Sequence, residues 1–126
     1  MGKKILIVDD EPLIVQMVVS RLEASGYLTM TANSGEEALE KARAESPDLI
    51  ILDLMLPNID GFQVCATLKQ DVRYQHIPII LFTAKASPEA RQVGVEDCGA
   101  DAYMTKPFEA EALLSKIAEL LHDLAA

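Results

Sequence analysis

The sequence predicts an α/β fold: a five-stranded parallel sheet in the order 2-1-3-4-5, doubly wound, with five helices covering both faces. Three observations carry this. Short apolar runs alternate with helical patterns along all 126 residues. Such alternation builds an open parallel sheet with helices on both sides. Three of the runs are apolar throughout, as strands buried on both faces are, and two are short and mixed, as edge strands are.

Lys4-Ile5-Leu6-Ile7-Val8 is the first strand. A helix follows from Pro12 to about Ser25, opened by a proline in its first turn and closed by Gly26. Leu28 to Thr31 is a short second strand. Ser34-Gly35-Glu36-Glu37 reads as a capping box, in which the Ser34 hydroxyl and the Glu37 carboxylate satisfy the first free amides of a helix reaching about Glu45. Leu49-Ile50-Ile51-Leu52 is the third strand, and Asp60-Gly61-Phe62-Gln63 opens a helix running to about Asp71. Pro78-Ile79-Ile80-Leu81-Phe82 is the fourth strand; Ser87-Pro88 caps a fourth helix that ends near Gly99. Ala102-Tyr103-Met104 is the fifth strand, and Glu109 to Leu124 the last helix, with Leu113, Ile117, Leu120 and Leu124 on one stripe. Strands two and five are the mixed ones and fall at the edges. The resulting order is that of flavodoxin-like sheets.

Length and composition fit one soluble domain spanning residues 1–126, with half of the residues apolar. No apolar run approaches the roughly 18 residues of a membrane span. The basic and then apolar opening stops at Asp9-Asp10-Glu11 without a cleavage site, so it reads as a strand of a cytoplasmic protein rather than a signal peptide. A net charge of −9 gives this domain no electrostatic reason to bind nucleic acid directly. Cys65 and Cys98 fit no zinc or redox spacing and read as small buried side chains. His76 reads as a loop residue, and His122 as a partner of the last helix's dipole.

In sheets of this order ligands bind beyond the carboxyl ends of the strands, beside strand one. Strand one ends in Asp9-Asp10-Glu11, strand three in Asp53, strand four in Thr83-Ala84, and strand five leads into Thr105-Lys106-Pro107. Carboxylates crowded in one crevice repel each other unless a cation sits among them, and such oxygens suit Mg²⁺, with Mn²⁺ as a substitute. Metal, lysine and hydroxyl together make a site for a phosphoryl group. Asp53, alone at the end of a central strand, is placed as the nucleophile. Taken singly, each residue has a plainer reading. Asp9 and Asp10 could favour a helix start, Asp53 could be turn chemistry, and Lys106 a solvated lysine. It is the set that points to chemistry.

The sequence resembles the receiver domains of bacterial two-component response regulators, of the chemotaxis-regulator type. The match runs through Ile-Leu-Ile-Val-Asp9-Asp10-Glu11, Asp53-Leu-Met-Leu-Pro57-Asn-Ile-Asp60-Gly61, Thr83-Ala84, and Gly99-Ala100-Asp101-Ala-Tyr103-Met-Thr-Lys106-Pro107-Phe108. The resemblance implies that Asp53 is the phosphoacceptor. Asp10 would bind Mg²⁺ directly, Asp9 through water, and Asp53 and the Met55 backbone carbonyl would complete the protein ligands. Thr83, Ala84 and Lys106 would contact the phosphoryl group, Tyr103 would change rotamer with Thr83, and the bond before Pro107 would be cis. Met55 and Lys85 stand at the positions that tune phosphoryl lifetime, and a methionine there cannot orient an attacking water.

The implied partners are a sensor histidine kinase or phosphotransfer protein and an output protein or domain reading the fourth helix, fifth strand and fifth helix. A phosphorylation-dependent homodimer through that face would use Arg91, Asp101 and Lys116, although Ala102 and Ala112 stand where acidic residues are usual. Three other readings compete. A phosphatase with an aspartyl nucleophile would carry a second Asp where Met55 stands, and a flavin carrier would not place three acids after strand one. A receiver-like scaffold that is never phosphorylated would not need the full acceptor set.

Overall fold

The computed structural model describes residues 2–83, 98–106 and 109–122. The strands are β1 (Lys4–Val8), β2 (Leu28–Ala32), β3 (Leu49–Asp53), β4 (Ile79–Thr83) and β5 (Ala102–Thr105), and the helices are α1 (Pro12–Ala24), α2 (Gly35–Glu45), α3 (Gly61–Lys69) and α4 (Ala110–Leu121). The expected fourth helix, with Arg91, lies outside the described residues, as does Leu124. The five strands form one parallel sheet in the order β2-β1-β3-β4-β5, as the sequence predicts.

The pleat divides the strands' apolar side chains between two cores. Leu6, Val8, Ile50, Leu52 and Leu81 face one side and pack against Ala38 and Ala42 of α2 and Val64, Cys65 and Leu68 of α3. Their neighbours Ile5, Ile7, Leu49, Ile51, Ile80 and Phe82 face the other and pack against Val18 and Leu22 of α1 and Leu113 and Ile117 of α4. β3 and β4 are buried along their whole length. That is the doubly covered state their unbroken apolar sequence predicts. β2 is the mixed edge. Its Ala32 carbonyl accepts from Asp9 N of the β1 side, and its Thr31 carbonyl, which alternates outward, accepts from the Lys41 ammonium. A lysine on an open edge discourages pairing with another chain.

Helix ends follow local chemistry, with two departures from expectation. The Ser34 hydroxyl accepts from Glu37 N at 3.1 Å, but the Glu37 carboxylate reaches one residue further back than a capping box requires, to Asn33 N at 2.9 Å. The full box belongs to α3, where Asp60 and Gln63 satisfy each other's backbone amides. α3 also ends at Lys69, two residues early. Asp71 starts a separate turn there, accepting from Arg73 N at 3.0 Å through its side chain and from Tyr74 N at 2.9 Å through its carbonyl. His122 closes α4 in the left-handed region at φ 54°, its amide donating to the helix's last carbonyls, and His76 is exposed.

Candidate functional site

Register places the acids. Val8 of β1 lies opposite Leu52 of β3, so the chain delivers Asp9 and Asp53 side by side at the carboxyl end of the two central strands. Among the described residues, Asp9, Asp53 and Thr83 are the buried polar or charged ones, all at strand ends. Asp10, next along, is exposed. One carboxylate oxygen from each of Asp9, Asp10 and Asp53 lies within 4.8 Å of the others.

Lys106 closes the crevice from the β5 side. Its amide donates to the Thr83 carbonyl at 2.8 Å, which fixes the residue beside the end of β4. Its ammonium lies 5.6 Å from the centre of the Phe82 ring, and 2.8 Å from Asp9 Oδ2, 3.1 Å from Glu11 Oε1 and 3.6 Å from Asp53 Oδ2. Asp9 Oδ1 accepts from Glu11 N at 2.9 Å, and Asp53 Oδ1 from Met55 N at 3.2 Å. The Lys106–Asp9 approach is a charge contact off the line of a hydrogen bond, which leaves Asp9 Oδ2 buried without a hydrogen-bond donor.

The electrostatics are unbalanced. Among the described residues, the carboxylates of Asp9, Glu11 and Asp53 share the Lys106 ammonium, and Asp10 lies beside Asp9 and Asp53. Burial pushes the Asp53 carboxyl above its ordinary range, and the charge of Asp9 pushes it further; the Met55 amide and Lys106 oppose this without cancelling it. Burial alone would lower Lys106, but the contacts with Asp9 and Glu11 and the charge of Asp53 outweigh it, so the ammonium is held more firmly than usual. A cluster of hard oxygen donors, one of them buried with no hydrogen bond, fits a divalent cation of the Mg²⁺ class. When bound, such an ion neutralises charge at the site.

A cleft of about 320 Å³ opens beside Asp9 and Asp10, between Pro12 and Gln16 of α1 and the end of β2 with Asn33. Met55 is 62% exposed on the loop after β3. Tyr103 is half-buried and packs on the α2–α3 side of the sheet. The structure therefore gathers Asp9, Asp10, Asp53 and Lys106 in one crevice, joins Thr83 to it through the Lys106 amide, and sets Tyr103 opposite Leu81, two residues before the paired ends of β4 and β5. Ala84, Lys85 and Pro107, including the expected cis bond, lie outside the described residues.

The sequence reading gave Glu11 no role of its own, yet its carboxylate is a direct partner of Lys106. The signal was present as a third acid in a row at a strand end. Two residues expected at a dimer face are engaged within the chain: Asp101 with Lys69 at 2.8 Å, and Lys116 with Glu119 at 3.1 Å. Cys65 and Cys98, distant in sequence, are neighbours in space, the Cys65 thiol donating to the Cys98 carbonyl at 3.5 Å; neither is in a disulfide, and Cys65 is buried and Cys98 half-buried.

The same fold recurs in known proteins. The model of the response regulator receiver domain matches residues 5–118, and the chain belongs to that family. It is 48% identical over 121 residues to the alkaline phosphatase synthesis transcriptional regulatory protein PhoP of Bacillus subtilis, covering 96% of this chain and 49% of that protein. It is 43% identical over 118 residues to the DNA-binding dual master transcriptional regulator RpaA of Synechocystis, covering 94% and 48%. The chain thus spans about half the length of these relatives.

Among solved structures, a response regulator of Chloroflexus aurantiacus superposes with a TM-score of 0.92 at 34% identity, covering 97% of this chain and 99% of that one. The chemotaxis protein CheY4 of Vibrio cholerae superposes at 0.89 and 36%, covering 95% and 99%. The BeF₃-activated receiver domain of DrrB superposes at 0.87 and 32%, covering 97% and 99%. The domain is a phosphoacceptor of two-component signalling, a switch rather than an enzyme that turns over outside substrates. No helix among the described residues is long and apolar enough to cross a membrane.

Proposed function

We propose that Asp53 accepts the phosphoryl group and that Mg²⁺, or Mn²⁺ in its place, is held by Asp10, Asp53 and the Met55 carbonyl, with Asp9 bound through water. The observation that carries this reading is the set of distances at Asp53. Its carboxylate is buried at the end of β3, within 4.8 Å of two further carboxylates and 3.6 Å from the Lys106 ammonium. An Asp53 oxygen attacks phosphorus, the bond from phosphorus to the donor breaks, and the donor leaves as a neutral imidazole or a carboxylate. Lys106 and the Thr83 hydroxyl then bind the added oxygens, with the Ala84 amide, and Tyr103 follows Thr83. The new charge of about −1.5 to −2 changes the face built by β5 and α4 and the segment before β5.

The donor is a sensor histidine kinase or a phosphotransfer protein, and the reader is an output protein or domain. With a net charge of −9, the domain leaves any DNA contact to another part or another chain. A cytoplasmic setting accords with two cysteines that are not joined in a disulfide. A homodimer through β5 and the last helix draws no support from Asp101 and Lys116, whose charges are matched within the chain.

Intact-mass spectrometry after incubation with acetyl phosphate tests the reading. One added phosphoryl group is expected with Mg²⁺, none without it, and none in Asp53→Asn. An adduct that survives Asp53→Asn would place the acceptor elsewhere.

A further inference from the structure

Lys106 has two resting partners that differ sharply in burial. Asp9, 2.8 Å from the ammonium, has a side chain 2% exposed; Glu11, 3.1 Å away, is 62% exposed. Only the Glu11 contact has hydrogen-bond geometry. Asp53, at 3.6 Å, lies beyond it. The Glu11 backbone is itself fixed, its amide donating to Asp9 Oδ1 at 2.9 Å and its carbonyl accepting from Val15 N at 3.1 Å at the start of α1. Its carboxylate is therefore held over Lys106, linking the loop after β1 to the loop after β5.

We propose that Glu11 is a positioning residue: it holds Lys106 in the unphosphorylated place and competes with the phosphoryl group for the ammonium. The inference rests on Asp53 being the acceptor. A phosphoryl group on Asp53 presents new charged oxygens to Lys106, and the lysine must give up a partner to bind them closely. Releasing Asp9 would take a direct charge contact at 2.8 Å from a buried carboxylate, which costs more than losing an exposed one. Releasing Glu11 costs little, because water replaces the lysine at an exposed carboxylate. The exchange therefore runs from Glu11 to phosphoryl oxygen. Glu11 sets how readily the switch is thrown without touching the reacting atoms.

The test is beryllofluoride affinity at saturating Mg²⁺, read by titration calorimetry, in wild type, Glu11→Gln and Glu11→Asp. Removing the competitor should tighten binding about two- to fivefold, the range of one partly exposed ion pair. Glu11→Asp keeps the charge but shortens the reach, and should tighten binding as well. The melting temperature of Glu11→Gln without beryllofluoride should fall by no more than about 5 °C, the shift that one exposed pair can account for. Unchanged or weaker binding in Glu11→Gln overturns the proposal. So does tightening in Glu11→Gln alone, which would mark a general effect of charge. Absence of binding in the wild type would instead overturn the acceptor reading, and this one with it.

Discussion

The Lys69 ammonium and the Asp101 carboxylate lie 2.8 Å apart and tie the end of α3 to the start of β5. Each partner is also used elsewhere. Lys69 donates to the Ile77 carbonyl at 2.8 Å and the Gln75 carbonyl at 3.1 Å, and Asp101 Oδ2 accepts from Ile79 N at 2.8 Å. One lysine thus closes the turn after α3, and one carboxylate holds β5 in register with β4. Lys69→Met should destabilise the fold by about 1–3 kcal/mol, since it leaves a partly buried carboxylate and two carbonyls without their cation. That is a fall of roughly 3–10 °C in melting temperature for a domain of this size. Asp101→Asn should also lower the melting temperature and leave the sedimentation behaviour unchanged. A change of association state with no loss of stability would return Asp101 to a dimer face.

Asp53 destabilises the metal-free fold it serves. Its carboxyl is raised from 3.8 by burial and by Asp9. The folded state therefore favours the protonated form, a contribution present below the unfolded value and lost as pH rises through the folded one. Asp53→Asn, which cannot ionise, should melt higher than wild type at pH 7 in chelator. The gap should close as pH is lowered towards 3.8. Mg²⁺ should raise the wild-type melting temperature more than that of the mutant, because an ion that binds only the folded state stabilises it. Equal melting temperatures across the range would mean that Asp53 is not strained by its neighbours.

Why the sheet was legible and parts of the site were not follows from how each is encoded. Ile5 to Val8 and Ile79 to Phe82 state their double burial in composition alone, and the mixed β2 states its edge. Asp9, Asp53 and Lys106 were legible because sheet order sends strand ends to one crevice. Side-chain partners had no such code. The Glu11–Lys106 pair spans 95 positions and the Cys65–Cys98 contact 33, so only the folded chain reveals them. The early end of α3 was missed because Asp71, which continues the helical pattern on paper, takes Arg73 N for a turn instead.

If Asp53 is the acceptor as proposed, Met55 is placed to tune the lifetime of the aspartyl phosphate. Its amide is committed to Asp53 Oδ1 and its side chain is 62% exposed, with no polar atom able to order a water. Hydrolysis should be slow. Met55→Asn supplies a donor and an acceptor at the mouth of the site and should speed dephosphorylation about three- to tenfold, the effect on a barrier of one hydrogen bond worth roughly 1 kcal/mol. Decay followed by intact mass after removal of the donor measures it. An unchanged rate would show that position 55 does not reach the attacking water.

Cys65 should be inert in the native protein. Burial pushes its thiol up to about 12, with Cys98 adding to the rise, so almost no thiolate exists at pH 8. Iodoacetamide should give at most one adduct on native protein, at the half-buried Cys98, and two in denaturant. Peptide mapping that found Cys65 alkylated without denaturant would mean that α3 opens readily from the sheet.

Gly61 fixes how closely α3 can approach the end of β3. A Cβ on this residue would stand 2.4 Å from the Asp53 carbonyl oxygen and 2.8 Å from Leu54 Cα, both backbone atoms that cannot rotate away. The Gly61 amide donates to the Leu54 carbonyl at 3.1 Å, so the helix start and the loop carrying Met55 are clasped together. Gly61→Ala must push them apart. The cost should be about 1–3 kcal/mol, as for other overpacked sites. Because the displaced carbonyl belongs to Asp53, the damage should reach the site. Mg²⁺ affinity and the rate of phosphorylation by acetyl phosphate should fall in the fraction that remains folded. A control at Gly26, where φ is 92° and nothing stands within 4 Å of an added Cβ, separates the two effects. Gly26→Ala strains the backbone and lowers stability, yet should leave metal affinity and acceptor chemistry unchanged. Equal losses of Mg²⁺ affinity in both variants would show that global stability, not the contact at Asp53, governs the site.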